Sequence, residues 1–255
     1  MLSGKTERLV SSVVNIVKAE YLKTSRSMRR RFIWMFPVIT LALGFVLTAG
    51  MKDAYAESVW NWWSGLLLPG MIAIICYLSG TQEKKTGYYN FMTLSVSKRQ
   101  LMYGKIIYMG CVILISNVII CVGALSGGLL LTTSVPAGGA VAAVFILAIV
   151  QLWEIPVFLF LSERFGMITE LLICLFLSVF GTLISQTGKW YFLVSAIPMR
   201  ILSPVLRVLP NGLRAEDGNP MLDAGVIGPG ICLSAAWFVF FTFLYLKWFE
   251  KREVK

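Results

Sequence analysis

KIIYMGCVILISNVIICVGALSGGLLL, residues 105–131, is the stretch that decides the fold. After its first lysine it carries no charge. It exceeds the ~20 residues that a helix rising ~1.5 Å per residue needs to cross ~30 Å of hydrocarbon. A membrane β-barrel strand is about 10 residues long and alternates in polarity; this run does neither. Five similar runs stand at 32–50, 59–80, 141–161, 167–187 and 226–247. The expectation is an all-α, polytopic integral membrane protein of six transmembrane helices, with residues 1–255 as one domain.

The composition agrees. Of 255 residues, 57% are apolar and 14% charged, where a soluble chain carries about 25% charge. The net charge of +10 is unevenly placed. The first 31 residues hold Lys5, Arg8, Lys18, Lys23, Arg26, Arg29, Arg30 and Arg31. With six spans, 18 of the 23 basic residues fall on the side of both termini, and Lys52, Lys189, Arg200, Arg207 and Arg214 on the other. Short basic loops stay in the cytoplasm, which predicts a multi-pass protein with N-in, C-in topology. Anionic lipid accounts for the charge, and no nucleic acid is expected. Arg29–Arg31, the apolar stretch after them and Ala54-Tyr55-Ala56 imitate a signal peptide. That stretch outruns a signal's ~7–15 residues, so it reads as an uncleaved anchor.

Ahead of the first span, Leu9, Val10, Val13, Val14, Val17 and Tyr21 fall on one helical face, with Lys5, Arg8, Ser11, Asn15 and Lys18 opposite. The segment 1–31 is read as an inner-leaflet amphipathic helix. The first span carries Pro37 one turn in. Trp60, Trp62 and Trp63 open the second span and suit an interfacial belt. The connection 81–104 starts polar and then carries Tyr88, Tyr89, Phe91 and Leu94, followed by Lys98 and Arg99. It reads as a cytoplasmic coupling loop offered to a partner. Gly123 and Gly127 form a GxxxG suited to close helix packing. The outer loop 188–225 is apolar over 190–209 and broken by Pro198, Pro204 and Pro210. It reads as a re-entrant or interfacial element before the last span. Its Arg200, Arg207 and Arg214, seven residues apart, are read either as reaching outer-leaflet phosphates or as part of a structural cap on the bundle.

Chemistry-bearing residues are sparse. There is no histidine, which removes His-based acid–base catalysis and His-ligated metals. Cys76, Cys111, Cys121, Cys174 and Cys232 all lie in predicted spans without a CxxC pair and read as small hydrophobes. Gly4-Lys5-Thr6 lacks the earlier glycine of a phosphate loop. The polar residues at membrane depth are Asn117, Gln151 and Glu154. The last is either functional or a structural hydrogen-bonding group. Glu170 is placed near the inner end of the fifth span, at the interface. No catalytic residue, cofactor site or metal site is expected on this chain.

Four stretches carry a resemblance. They are Lys18-Ala19-Glu20-Tyr21-Leu22-Lys23-Thr24; Asn61-Trp62-Trp63 with Leu67-Leu68-Pro69; Leu94-Ser95-Val96-Ser97-Lys98-Arg99 leading to Gly104-Lys105-Ile106; and Arg164-Phe165-Gly166-Met167. In order and spacing the chain resembles type-2 ABC exporter permeases, within them the permease subunits that protect bacteria against lantibiotics. A proline often stands in that family where Ser95 stands here. The resemblance implies a transport subunit of the bacterial cytoplasmic membrane, not an enzyme. It implies an ABC ATPase dimer as partner, with ATP and Mg bound on that chain, and a second, different permease subunit. It implies a lanthionine peptide as cargo, and an ATPase docked at Tyr88, Tyr89, Phe91, Leu94, Lys98 and Arg99. The readings left beside it are the same architecture with a drug, lipid or other peptide as cargo, and a membrane anchor or assembly factor with no ATPase.

Overall fold

Residues 14–24, 27–49, 54–85, 97–131 and 135–251 are described by a computed structural model. Helix α1 covers 14–24. It is followed by α2 (Met28–Leu47), α3 (Tyr55–Trp62), α4 (Leu68–Lys85) and α5 (Lys98–Leu131). Next come α6 (Ala137–Val150), α7 (Glu154–Arg164), α8 (Met167–Ser185), α9 (Ile197–Leu206) and α10 (Ile227–Glu250). Among the described residues there is no strand, only a bridge between Val208 and Arg214.

Five helices, with α3 and α4 counted as one, are long and apolar enough to cross a membrane; the pair α6 and α7 makes a sixth if its 46° bend lies within one span. The second and third spans form the centre, being 56% and 50% buried. The first, fifth and last are each 22% buried and form the rim. The rim helices are polar inside and apolar outside. Helix α8 buries Glu170, Cys174, Ser178, Gly181 and Ser185, while Ile168, Leu172, Phe176 and Leu183 are exposed. In water that arrangement would leave an apolar patch far larger than soluble proteins tolerate. In lipid it is the expected one, because small and polar residues give close packing and hydrogen bonds.

Close approach is made at glycines. A Cβ on Gly123 would lie 2.3 Å from Leu41 Cδ1, and one on Gly127 2.2 Å from Tyr55 Cε1. The GxxxG is therefore spent inside this chain, against the first and second spans. Gly181 meets the Ser195 carbonyl in the same way, at 2.5 Å.

Several expectations change. Helix α2 starts at Met28, so Pro37 lies well inside it rather than one turn in. Trp60 and Trp63 are buried in the core and Trp62 alone is partly exposed, because the second span is central and its indoles meet protein. Trp63 Nε1 donates to Asn117 Oδ1 (2.8 Å). The run expected as the fourth span is broken at 151–153, between α6 and α7. Pro156 has no N–H to return to the Leu152 carbonyl. Glu154 and Ile155 instead donate to carbonyls three residues back, Gln151 (3.1 Å) and Leu152 (3.2 Å).

The neighbours Gly138 and Gly139 give a paired test. A Cβ on Gly139 would lie 2.2 Å from the Val205 carbonyl oxygen, which is backbone and cannot rotate away; one on Gly138 meets nothing within 4 Å. Gly139→Ala should cost about 1–3 kcal/mol through overpacking. Gly138→Ala should be neutral or stabilise by up to about 1 kcal/mol. Thermal unfolding of both in the same detergent checks this, and equal midpoints would contradict it.

Candidate functional site

At the end of the bundle where α4 stops and α5 begins, charged side chains are buried together. Lys23 Nζ is 2.8 Å from Glu20 Oε1 and 3.2 Å from Glu83 Oε1. Lys105 Nζ is 3.5 Å from the same Glu83 oxygen, with Lys105 only 1% exposed. Arg29 donates to Gln82 Oε1, and the Thr24 and Tyr108 hydroxyls share a hydrogen bond of 2.7 Å. Ile16 packs so closely on Gly104 that a Cβ there would lie 2.3 Å from Ile16 Cγ2. The cluster thus joins α1, α2, α4 and α5.

Of the apolar stripe expected on the N-terminal helix, Leu9, Val10 and Val13 lie outside the described residues, and the pattern did not single out what faces inward. Val14 and Tyr21 are exposed, while Ile16, Glu20 and Thr24 pack on the bundle. Glu20, Glu83 and Lys105 were absent from the candidate residues. The missed signal is that Glu20, Lys23 and Thr24 share one stretch of the family resemblance and Lys105 lies in another. Burial by itself raises the Glu20 carboxyl, but Lys105 and Lys23 outweigh it and the net direction is down from 4.5. Burial lowers Lys23, and Glu20 and Glu83 outweigh that, so its net direction is up from 10.5.

The coupling-loop residues Tyr88, Tyr89, Phe91 and Leu94 lie outside the described residues. Lys98 and Arg99 are not loop residues; they begin α5. Arg99 forms a two-point pair with Glu250, its NH2 3.0 Å from Oε2, so α5 and α10 are tied at this end. Beside them a cleft of about 410 Å³ is lined by Lys84, Glu163, Arg164, Trp248 and Lys251. Tyr245 donates to Glu163 Oε1 (3.1 Å).

At membrane depth, Asn117 is structural. It accepts from Trp63 and donates to the Val144 carbonyl (3.2 Å), linking three spans. Gln151 Nε2 donates to the Ser64 carbonyl (3.4 Å). Glu154 opens α7 and is 3% exposed. Glu170 lies in the first turn of α8 and is fully buried, because its side of that helix packs on the second span.

At the opposite end, 188–226 forms a cap of short 3-10 turns around α9. The three arginines do not share a face. Arg200 is buried and donates to the carbonyls of Met221 (2.7 Å) and Pro220 (3.2 Å). Arg207 ends α9 with φ of 60° and pairs with Asp217. Arg214 is exposed. The helix ends at Leu206, so the heptad spacing has no continuous helix to act on. Asn61 donates to the Pro210 carbonyl (2.8 Å), fastening the cap to the second span. Between the second and fifth spans a largely apolar groove of about 260 Å³ runs past Asn61, Trp62, Gly65, Leu175, Val179 and Pro210. Among the described residues no group of three or more His, Cys, Asp or Glu is arranged to hold a metal ion.

Comparison with known proteins adds no relative: no family model, curated protein or solved structure matches the chain.

Removing Glu83 leaves Lys105 buried without its carboxylate. Losing one partner of a buried pair costs about 3–5 kcal/mol, and Glu83→Ala should fall at the lower end because Glu20 still acts on Lys105. Adding Lys105→Met should recover much of the loss, which a double-mutant cycle on thermal unfolding reads out. The docking of α1 should also depend on pH at both extremes. Glu20, with its lowered value, contributes above about 4.5 and loses its contribution as pH falls through its folded value. Lys23, with its raised value, contributes below about 10.5 and loses it as pH rises through its folded value. Hydrogen-exchange protection over 14–24, taken relative to the intrinsic exchange rate at each pH, should stay high from about pH 5 to 10 and fall outside that window; lower protection at pH 7 than at pH 4 would contradict the pairing.

Proposed function

We propose that this chain is the membrane permease subunit of an ATP-driven type-2 ABC exporter that expels lantibiotic-type peptides from a bacterial cytoplasmic membrane. The observation that carries the reading is the buried charge cluster. It brings the Lys18–Thr24 and Gly104–Ile106 stretches of the resemblance together with Glu83 at one end of the bundle. That is the end from which 86–96 departs. A subunit driven by an external motor needs such a place, where a push on a loop reaches several spans at once. In this reading the basic end lies in the cytoplasm, with both termini. The ATPase dimer, carrying ATP and Mg, docks on the aromatic segment Tyr88, Tyr89, Phe91 and Leu94. Lys84, Arg164 and Lys251 face anionic lipid or the ATPase. The apolar groove between the second and fifth spans supports contact with an amphiphilic cargo or with the second permease subunit.

The test is co-purification of the full chain from its native host, followed by reconstitution with the ATPase and permease that accompany it. ATP hydrolysis should rise on adding a lanthionine peptide, and cells carrying the complex should survive that peptide. Phe91→Asp should insert normally but weaken ATPase association about 30-fold, the effect of losing a ~2 kcal/mol aromatic hot spot. A chain that purifies without any ATPase, yet works, would sink the reading. Stimulation by a lipid or drug but by no peptide would move the cargo and leave the architecture.

A further inference from the structure

The break in the fourth span faces a small enclosed cavity whose polar atoms are unspent. Glu154 Oε2, Gln151 Oε1 and Ser195 Oγ are buried without a hydrogen-bond partner, as is the Trp153 Nε1–H donor, and Ser178 Oγ has only the Cys174 thiol beside it; all of these residues line this one cavity. Three elements supply them: the turn at 151–153 with the start of α7, the inner face of α8, and the 3-10 turn Val194–Ala196 of the cap. The convergence is built by backbone contact. Gly181 lets α8 meet the Ser195 carbonyl, which sets Ser178 and Ser195 beside each other across the cavity. Gln151 is held in one orientation, since its Nε2 is used on the Ser64 carbonyl and its Oε1 is left toward the cavity. The volume is about 10 Å³, the room that about one water-sized occupant needs.

The chemistry of the donor set selects the occupant. A carboxylate at membrane depth costs several kcal/mol unless it is neutralised. The other three oxygens are neutral acceptors, two of them hydroxyls that can also donate. A divalent ion would need further carboxylates or many more oxygens, and one carboxylate balances one positive charge. The elements packed on α7 also present Cys76 and Glu83 on α4, Lys105 on α5, Glu170 and Cys174 on α8, and Tyr245 on α10. Lys105 is engaged with Glu83, so neither charge is available to Glu154. Irregular backbone lining a cavity inside a broken span is the setting in which membrane proteins hold small ions.

We propose that Glu154, Gln151, Ser178 and Ser195 form a binding site for one small monovalent cation, an alkali metal ion. The groove between the second and fifth spans shares Gly65, Ser178, Thr182 and Met199 with the cavity. It gives the site a side entrance toward the capped end. The ion would pin α7, α8 and the cap to one another, so its binding stabilises the bundle and its loss frees the bend at 151–153. This site stands independently of the export reading.

The test uses the full chain alone in nanodiscs, without an ATPase. Thermal unfolding is followed in sodium, potassium or N-methylglucamine chloride at equal ionic strength, at several pH values. A ligand that binds only the folded state raises the midpoint. A rise specific to sodium or potassium, lost in Glu154→Gln and reduced in Ser195→Ala, identifies an alkali ion. A rise that follows pH alone, is equal in all three salts and is lost in Glu154→Gln shows only protonation of the Glu154 carboxyl and overturns the cation site. If Glu154→Gln does not fold, Gln151→Leu and Ser195→Ala must reduce the same shift. Wild type and variants responding identically, or wild type responding to neither salt nor pH, overturns the site.

Discussion

In hydrocarbon an apolar side chain gains nothing by turning inward, whereas a polar group left facing lipid loses every partner it had in water. That asymmetry arranges this molecule. Helix α8 shows it most plainly, with Ser178, Ser185 and Glu170 inside and Leu172, Phe176 and Leu183 outside. Once the polar groups are inside, they need one another, and the helices approach until they meet. Glycines set how close that is, as at Gly127 on Tyr55 and Gly181 on the Ser195 carbonyl. Asn117 shows the result: one side chain joins the third span to the second through Trp63 and to the fourth through the Val144 carbonyl.

The two ends solve the same problem with charge. Buried ion pairs are weak sources of stability, because desolvation offsets most of their attraction. Their use here is geometric. Lys105 is buried against Glu83, so α4 and α5 have little freedom to slide past each other. Lys23 brings α1 into the same arrangement. At the capped end Arg200 does with carbonyls what Glu83 does with lysines, binding 220–221 back onto α9. The fourth span is the exception between these fixed ends. Its helix is interrupted where Glu154 and Gln151 keep unspent oxygens, and such a break is where a two-state motion would be concentrated.

The membrane spans were legible in the sequence because a span is a local property. Its transfer free energy is a sum over about 20 consecutive residues, and 105–131 announces itself without knowledge of any neighbour. The interrupted segment 188–225 was legible for a similar reason, its prolines being local breakers. The inward positions of Glu20 and Lys105, the buried indoles of Trp60 and Trp63, and the separate fates of Arg200, Arg207 and Arg214 were not legible. Hydropathy cannot say which polar residue finds which partner. That depends on which helix comes to lie beside it and at what rotation, and only the packed bundle decides both. The sequence by itself therefore determined that the chain is a bundle of apolar helices with basic charge gathered toward one end. The tertiary structure alone decided which charges are paired, where the fourth span breaks, and which oxygens meet there, because each of these is a contact between residues far apart in the chain.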